Sequence, residues 1–367
     1  MIYLNAASHG LCDSAVRARM IAYLQREDQI GPAKAEREAQ DEMTGARAMA
    51  ARAIGASEAD VMLLGTTTIG WNAAVRALPL ADRRVLVAPG EWTSDVAVLA
   101  RMGARIEVMP TDETGDLDVS AIAGLIDDDL AAISAPQVCS LTGETYCLSR
   151  IGALPRPHGC LFIVDAAQSL GQLPVSVADL GADILAATTR KWIRGPRDTA
   201  LLYVAPQVFE QMAPNPAPRI AGLSGGGQSI ADKPGIARFS PGDGFAPLRL
   251  GLGVALSQFL ADPDEAMAAP ARLAAHLRSG LRELRWQLAC ADDARATAIT
   301  TLTGSPERIG AVTAALKRAG YAFASPSPDC EPLRGIDPGM QAFLRLSPHG
   351  YNTLAEIDLA LAIIARA

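Results

Sequence analysis

Two apolar runs, each closing on a charged residue of opposite sign, constrain this 367-residue chain more than anything else in it. Leu161-Phe162-Ile163-Val164-Asp165 ends in a carboxylate, and Ala186-Ala187-Thr188-Thr189-Arg190-Lys191-Trp192 ends a second run around an amine 26 positions later. Short apolar runs of this kind read as buried strands. Together they deliver an acid and an amine to one edge of a sheet.

The surrounding chain fits that sheet. The first fifty-odd residues carry Val16, Met20, Tyr23 and Leu24 at helical spacing and predict two helices split near Gly31-Pro32. From about Val61, strands at Val61–Leu64, Val85–Ala88, Ile106–Met109, Leu130–Ser134, Leu161–Val164, Ile184–Thr188 and Ala200–Val204 alternate with helical segments such as Ser94–Met102 and Leu117–Ile126. Such alternation implies a mostly parallel sheet covered on both faces, with ligands beyond the carboxyl ends of its strands. Residues 213–247, rich in Pro and Gly, predict a long functional loop. Beyond it, helices at Leu250–Leu260, Arg272–Leu288 and Glu307–Ala319, strands at Ala298–Leu302 and Phe343–Leu346, and a helix from about Leu354 predict a smaller α+β unit. The expected organisation is a helical segment (1–50) packed with the small domain, a large domain (51–250) and a small C-terminal domain (251–367).

Composition narrows the function. A net charge of −7 without a long basic run gives nucleic acid nothing to bind. No apolar stretch approaches the ~18 uninterrupted residues of a membrane span, and Met1-Ile2-Tyr3-Leu4-Asn5 lacks the basic and apolar segments of a signal peptide. Cys12, Cys139, Cys147, Cys160, Cys290 and Cys330 show neither CxxC pairing nor zinc spacing, so reduced thiols in a cytoplasmic protein without a metal site are expected.

An acid and an amine at one sheet edge suit pyridoxal 5'-phosphate. The amine, Lys191, makes the Schiff base; the acid, Asp165, keeps the ring nitrogen protonated so that the ring absorbs electrons. A phosphate needs a helix N-terminus with hydroxyls, which Gly65-Thr66-Thr67-Thr68-Ile69-Gly70 offers, with Thr188 adding one more. Trp92 can lie on the face of the ring, and Gln168 can donate to its phenolic oxygen.

Ile163-Val164-Asp165-Ala166-Ala167-Gln168-Ser169, Thr189-Arg190-Lys191-Trp192-Ile193-Arg194-Gly195-Pro196-Arg197 and Leu344-Arg345-Leu346-Ser347-Pro348-His349-Gly350-Tyr351-Asn352-Thr353 together resemble the class V aminotransferase-fold enzymes, the group that contains the cysteine desulfurases. The likeness runs from Tyr3-Leu4-Asn5-Ala6-Ala7 to Glu356-Ile357-Asp358. It implies a fold-type I α/β enzyme: a doubly wound, mostly parallel sheet with a smaller α+β C-terminal domain. It further implies a homodimer acting on a small-molecule amino-acid substrate. Within it, Lys191 is the Schiff-base lysine, Asp165 partners the pyridinium nitrogen and Gln168 the phenolic oxygen. Thr67, Thr68 and Thr188 hold phosphate, and Arg345 binds the substrate α-carboxylate as a bidentate pair, with Asn5 and Ser140 also at the substrate.

Departures from the desulfurase pattern bear on the reaction. Arg190 and Trp92 stand where those enzymes usually have His, and Ser140 where they have Asn. Phe239-Ser240-Pro241-Gly242-Asp243 replaces a segment whose Thr reaches a neighbouring subunit's phosphate. The string around Lys191 is more similar to the sulfoxide and cysteine-conjugate C–S lyases of the group, such as those of ergothioneine assembly. Cys330 has the spacing to Arg345 of a persulfide-forming cysteine, and a nearby Arg favours its thiolate. The resemblance therefore implies chemistry through an external aldimine and a Cα carbanion. C–S β-lysis of cysteine, cystine or a cysteine S-conjugate or sulfoxide is preferred; transamination or epimerisation is the alternative, and a non-catalytic regulator a remote one.

Overall fold

The computed structural model describes residues 1–213, 222–224, 229–231, 233–240, 242, 244–335 and 342–367, with backbone only at 222–224 and 229–231. Strand β1 (Ile2–Tyr3) precedes helices α1 (Ser14–Ile30) and α2 (Pro32–Ala53). Asp13 caps α1 by accepting from Ala15 N. Gly31 divides the two helices at φ 82°, which only glycine adopts without strain, and Pro32 starts α2 where its missing N–H is not needed.

Strands β2 (Val61–Leu64), β3 (Arg84–Val87), β4 (Arg105–Val108), β5 (Leu130–Pro136), β6 (Leu161–Asp165), β7 (Ile184–Thr188) and β8 (Ala200–Val204) form one sheet in the order β2-β8-β7-β6-β5-β3-β4. From β3 to β7 all pairings are parallel, and β8 runs antiparallel to both β7 and β2. Helices α3 (Thr67–Arg76), α4 (Thr93–Arg101), α5 (Val119–Leu125), α6 (Leu148–Gly152) and α7 (Val177–Leu180) lie in the connections. Along β6, Phe162 and Val164 join one apolar cluster while Leu161 and Ile163 join another. The pleat thus feeds two cores, which explains why the strand reads as an unbroken apolar run.

After the antiparallel pair β9 (Gly222–Ser224) and β10 (Ser229–Ala231) come α8 (Ala246–Ala261) and α9 (Pro263–Glu283). They lead to β11 (Gln287–Leu288), β12 (Thr300–Gly304), α10 (Pro306–Arg318), β13 (Tyr321–Ala322), β14 (Ala342–Leu346) and α11 (Leu354–Ile364). β12 pairs antiparallel with β11 and β14, and β1 adds in parallel to β13. Helix α9 departs from the expectation of Arg272–Leu288. It begins at Pro263 because Asp262 caps it through Glu265 N at 3.1 Å, and it carries Pro270 inside. Its expected tail, Gln287–Leu288, is instead β11. Helices α1 and α2 pack along α8, and Val16, Ala46, Ala50 and Ile54 enter the cluster that holds Phe162.

Pro241 and Asp243, in the segment that replaces one reaching a neighbouring subunit's phosphate, lie outside the described residues. Among those described, no helix is long and apolar enough to cross a membrane, and all six cysteines are free.

His349 fastens the small unit to the segment that carries Lys191. Its Nε2 lies 3.0 Å from the Trp192 carbonyl, its Nδ1 accepts from Gly350 N at 2.8 Å, and its ring stacks on both Trp192 and Tyr351. Burial holds its pKa down at about 4, against 6.5 for a free ring. A histidine buried neutral contributes stability above pH 6.5 that is lost as pH falls toward 4. At roughly 1.4 kcal/mol per unit this is about 3 kcal/mol. Thermal melts should therefore fall across that window, and His349→Phe should lack that part of the acid loss.

Candidate active site

The carboxyl ends of β3, β5, β6 and β7 open into one cavity of about 520 Å³. Lys191, Asp165, Thr67, Thr68, Trp92, Gln168, Thr188, Ser140, Arg345 and Cys330 all line it. Asn5 does not. It forms an isolated parallel bridge with Ser347, and its carbonyl accepts from Ser8 N and His9 N; Ser8 and His9 line the cavity.

Lys191 follows β7 on a tight return loop. Thr189 N and Gly195 N close it onto the Thr199 and Thr189 carbonyls, and Arg194 N onto the Lys191 carbonyl. Arg194 and Asp198 hold φ of 60° and 57°, a strained setting for residues with side chains. Gly10 N donates to the Arg190 carbonyl at 2.7 Å, and a Cβ on Gly10 would lie 2.2 Å from the Lys191 carbonyl, so only glycine lets the N-terminal segment come this close. Burial brings the Lys191 pKa down to about 7, helped by the charges of Arg190 and Arg345 and opposed by Asp165. The amine thus sits at the boundary between cation and free base.

Asp165 ends β6 and accepts from Ala167 N at 2.7 Å. It has two acidic neighbours that motif reading missed. Carboxylate oxygens of Glu91, Asp95 and Asp165 lie within 4.8 Å of one another, and Glu91 and Asp95 are buried. Glu91 accepts from Trp92 N at 3.0 Å and from Ser134 Oγ at 2.7 Å, and Asp95 from Ser94 Oγ at 3.0 Å. Among the described residues none of the three forms an ion pair. Burial, then the charge of Asp165, pushes Glu91 up to about 8 and Asp95 well above its usual range; burial also raises Asp165. In sequence these acids stand at a strand exit and in a helix's first turn, where acids are ordinarily solvated. Only the Glu91-x-x-x-Asp95 spacing beside Trp92 hinted at more.

The surroundings of two expected site residues constrain the roles they can take. Gln168 does not offer a free donor: its Nε2 donates to the Ala7 carbonyl and Ser140 Oγ, both at 3.0 Å, while its Oε1 accepts from Trp192 Nε1 at 3.2 Å. Contact with a phenolic oxygen would require exchange of one of those bonds. The Cys330 thiolate expected from a nearby Arg is not favoured either. Burial, then the charge of Glu331, pushes the thiol up to about 11 and outweighs Arg345. The Cys330 segment is also pinned. Glu331 accepts from Leu141 N and from Arg334 Nε, both at 2.6 Å, and Arg334 continues to Glu144 at 2.5 Å.

Arg345 is buried, donating through Nη1 to the Ser140 carbonyl at 2.7 Å and through Nη2 to Ser8 Oγ at 2.9 Å, with Nε unpartnered. The residues fit pyridoxal phosphate. Thr67 Oγ1 is buried without a hydrogen-bond partner at the N-terminus of α3, as a phosphate-binding hydroxyl awaiting its acceptor would be. A readily deprotonated lysine and a carboxylate line the same cavity.

Comparison with known proteins agrees. The family model "Aminotransferase class-V" matches residues 2–360. A Mycobacterium tuberculosis protein named "Probable hercynylcysteine sulfoxide lyase" is 27% identical over 99% of this chain and 90% of its own length. A cysteine desulfurase of Synechococcus elongatus is 30% identical over 73% of this chain, but the match spans only 42% of that relative. Among solved structures, the apo cysteine desulfurase of Thermococcus onnurineus NA1 superposes with a TM-score of 0.86 at 22% identity, covering 100% of this chain and 94% of the other. The cystine C–S lyase C-DES, in complex with its product cysteine persulfide, gives 0.84 at 19% identity over 99% and 97%. Another C-DES structure holds glycine covalently linked to the PLP cofactor. These likenesses establish the fold.

Proposed function

This chain belongs to the aminotransferase class-V family, and from that membership we propose that it is a pyridoxal phosphate-dependent C–S lyase that splits the Cβ–S bond of a cysteine derivative. The observation that carries the lyase reading is the state of Cys330. Sulfur transfer to an enzyme thiol calls for a reactive thiolate on a segment free to deliver it, whereas this thiol is held protonated on a pinned segment. Lysis needs no such nucleophile. The relative named as a sulfoxide lyase, matched over nearly the whole chain, supports the same reading.

When bound, pyridoxal phosphate supplies an electrophilic carbonyl and a ring that takes up electron density released at Cα. Thr67, Thr68, Thr188 and the α3 N-terminus would hold its phosphate, Trp92 would lie against its ring, and Asp165 would keep its ring nitrogen protonated. Arg345, its plane fixed by Ser8 and Ser140, grips the substrate α-carboxylate. Lys191, close to a free base at neutral pH, takes the proton from Cα. Sulfur then departs with the Cβ–S bonding pair. Overall, R–S–CH2–CH(NH3+)–COO− and water give R–SH, pyruvate and ammonium.

Incubation with cysteine, cystine and cysteine sulfoxide conjugates should release pyruvate. Amino transfer to a keto acid with no pyruvate from any of them would remove the lyase reading. Cys330→Ala should keep pyruvate release within a few-fold of wild type; a loss of about a hundredfold would restore a nucleophilic role for that thiol. The family's likeness supports a homodimer, which sedimentation would read as twice the chain mass. The free cysteines suit a reducing cytoplasm.

A further inference from the structure

We propose that Glu331 is a positioning residue for the substrate: it fixes the peptide plane that orients Arg345, and so sets how tightly the α-carboxylate is gripped. Glu331 and Arg345 meet at opposite edges of one peptide unit. Arg345 Nη1 donates to the Ser140 carbonyl at 2.7 Å, and the N–H of that same peptide, on Leu141, donates to Glu331 Oε1 at 2.6 Å. A peptide is planar, so an acceptor held on its N–H side also fixes the carbonyl that the guanidinium meets. A bonded chain of carboxylate, peptide and guanidinium further polarises each of its members. Glu331 is 1% exposed and lends negative charge to Arg345, yet among the described residues the two form no ion pair. Arg345 Nε, buried and unpartnered, is thus left for a ligand.

Glu331 is itself held. Its Oε2 accepts from Arg334 Nε at 2.6 Å, Arg334 Nη1 pairs with Glu144 at 2.5 Å, and Arg334 Nη2 donates to Cys139 Sγ at 3.0 Å. Glu144 in turn faces Arg295, 3.4 Å away, and Arg295 ends the chain on the Thr114, Gly115 and Thr145 carbonyls. The Ser140 turn is also tied to the sheet that carries Arg345. The Leu141 carbonyl accepts from Thr301 Oγ1 at 2.7 Å, and Thr301 stands opposite Arg345 where β12 pairs with β14. Gly143 closes the turn at φ 78°, where a Cβ would lie 2.5 Å from the Ile299 carbonyl. Well-packed apolar side chains often stabilise an interior as much as buried ion pairs do, so folding alone does not call for a carboxylate at this position. An apolar side chain accepts nothing from Leu141 N. A carboxylate with one oxygen on Arg334 and the other on the peptide joins the ion network to the group that grips the substrate.

This role rests on Arg345 gripping the α-carboxylate, as the lyase reading has it, and the test isolates that contact. Holoenzyme is titrated, through the cofactor absorption band, with L-norleucine and with n-pentylamine, the same chain without its carboxylate. Wild type should bind norleucine tighter by about a hundredfold, the scale of a charge-assisted bidentate contact. Glu331→Gln should cut that preference about tenfold, the scale of one lost hydrogen bond to a charged group. Its pentylamine affinity and pyridoxal phosphate content should match wild type. Glu331→Asp, which keeps the charge, should retain more of the preference than Glu331→Gln. Glu144→Gln weakens the same ion network without touching the Ser140–Leu141 peptide, so it should lower the melting temperature and keep the full preference. In turnover, Glu331→Gln should raise KM about tenfold and leave kcat within about threefold. A Glu331→Gln variant (or Glu331→Asp, where only that one folds) that melts earlier yet keeps the wild-type preference would overturn the proposal, leaving Glu331 a structural role only. Equal losses of preference in Glu331→Gln and Glu144→Gln would do the same. Equal binding of norleucine and pentylamine by wild type would overturn it together with the role of Arg345. If no conjugate yields pyruvate, the lyase reading fails while the binding comparison still decides this one.

Discussion

Lys191→Ala should lose about four orders of magnitude in turnover, the upper range for removal of a proton-transferring group, while its far-ultraviolet spectrum stays that of the wild type. Lys191 is buried at the closed end of a loop whose bonds run through Thr189, Gly195 and Thr199 backbone atoms, so deleting the amine leaves the loop's support in place. Lys191→Arg should fare no better, because a guanidinium does not give up its proton near neutrality. The environment also sets a pH dependence. With the amine pKa lowered to about 7 by burial and Arg190, the uptake of pyridoxal phosphate by cofactor-free protein should accelerate as pH rises through 7. An unperturbed lysine would show that rise more than three units higher. Stopped-flow absorbance on cofactor-free protein measures it.

Asp165→Asn should cost about a thousandfold in turnover, the scale for loss of one preorganised electrostatic partner. The size of that effect depends on which carboxyl of the buried trio is ionised. Facing Glu91, Asp95 and Asp165 are Ser134 and Ser94 as hydroxyl donors and Lys191 as a cation, with Glu331 adding negative charge from further off. Three mutually close carboxylates that share one cation cannot all ionise. Asp165, with a backbone N–H donor and the lysine charge in its favour, is the one to do so. Glu91 and Asp95 then remain protonated acids around it. The sign follows for stability. Native Glu91 keeps a proton up to about pH 8 that the unfolded chain gives up near 4.5, so stability falls as pH rises between those values. Glu91→Gln should flatten that part of the melting profile. A parallel profile in the variant would contradict the protonated state.

How far the molecule was legible from its residues differed by element. The strands β2, β3 and β5 to β8 stood out because burial makes each a largely apolar run, whereas β4 (Arg105–Val108) lies at the sheet edge and is partly exposed. Asp165 and Lys191 fall at or just beyond ends that parallel pairing brings together. The antiparallel course of β8 carries no local signal, since Ala200–Val204 is apolar in either direction. Helix α9 was placed too late because its first turns rest on a capping aspartate and tolerate Pro270. In the cavity, Arg345, Thr67 and Trp92 were singled out from the sequence, and all three line it. Glu91 and Asp95 were missed, because nothing local distinguishes a buried acid from a solvated one. Ser8 was missed for another reason: its hydroxyl meets the Arg345 guanidinium across a separation of 337 residues. The commitment of Gln168 to Ala7 and Ser140 is likewise set by tertiary contact alone.

The whole account depends on a covalent bond between the Lys191 amine and the cofactor aldehyde. Borohydride reduction of the holoprotein, followed by proteolysis and mass mapping, reads that bond directly. The expected result is a single pyridoxyl-phosphate adduct on the peptide containing Thr189-Arg190-Lys191-Trp192. An unlabelled Lys191, or a label spread over exposed lysines such as Lys34 and Lys317, would contradict it.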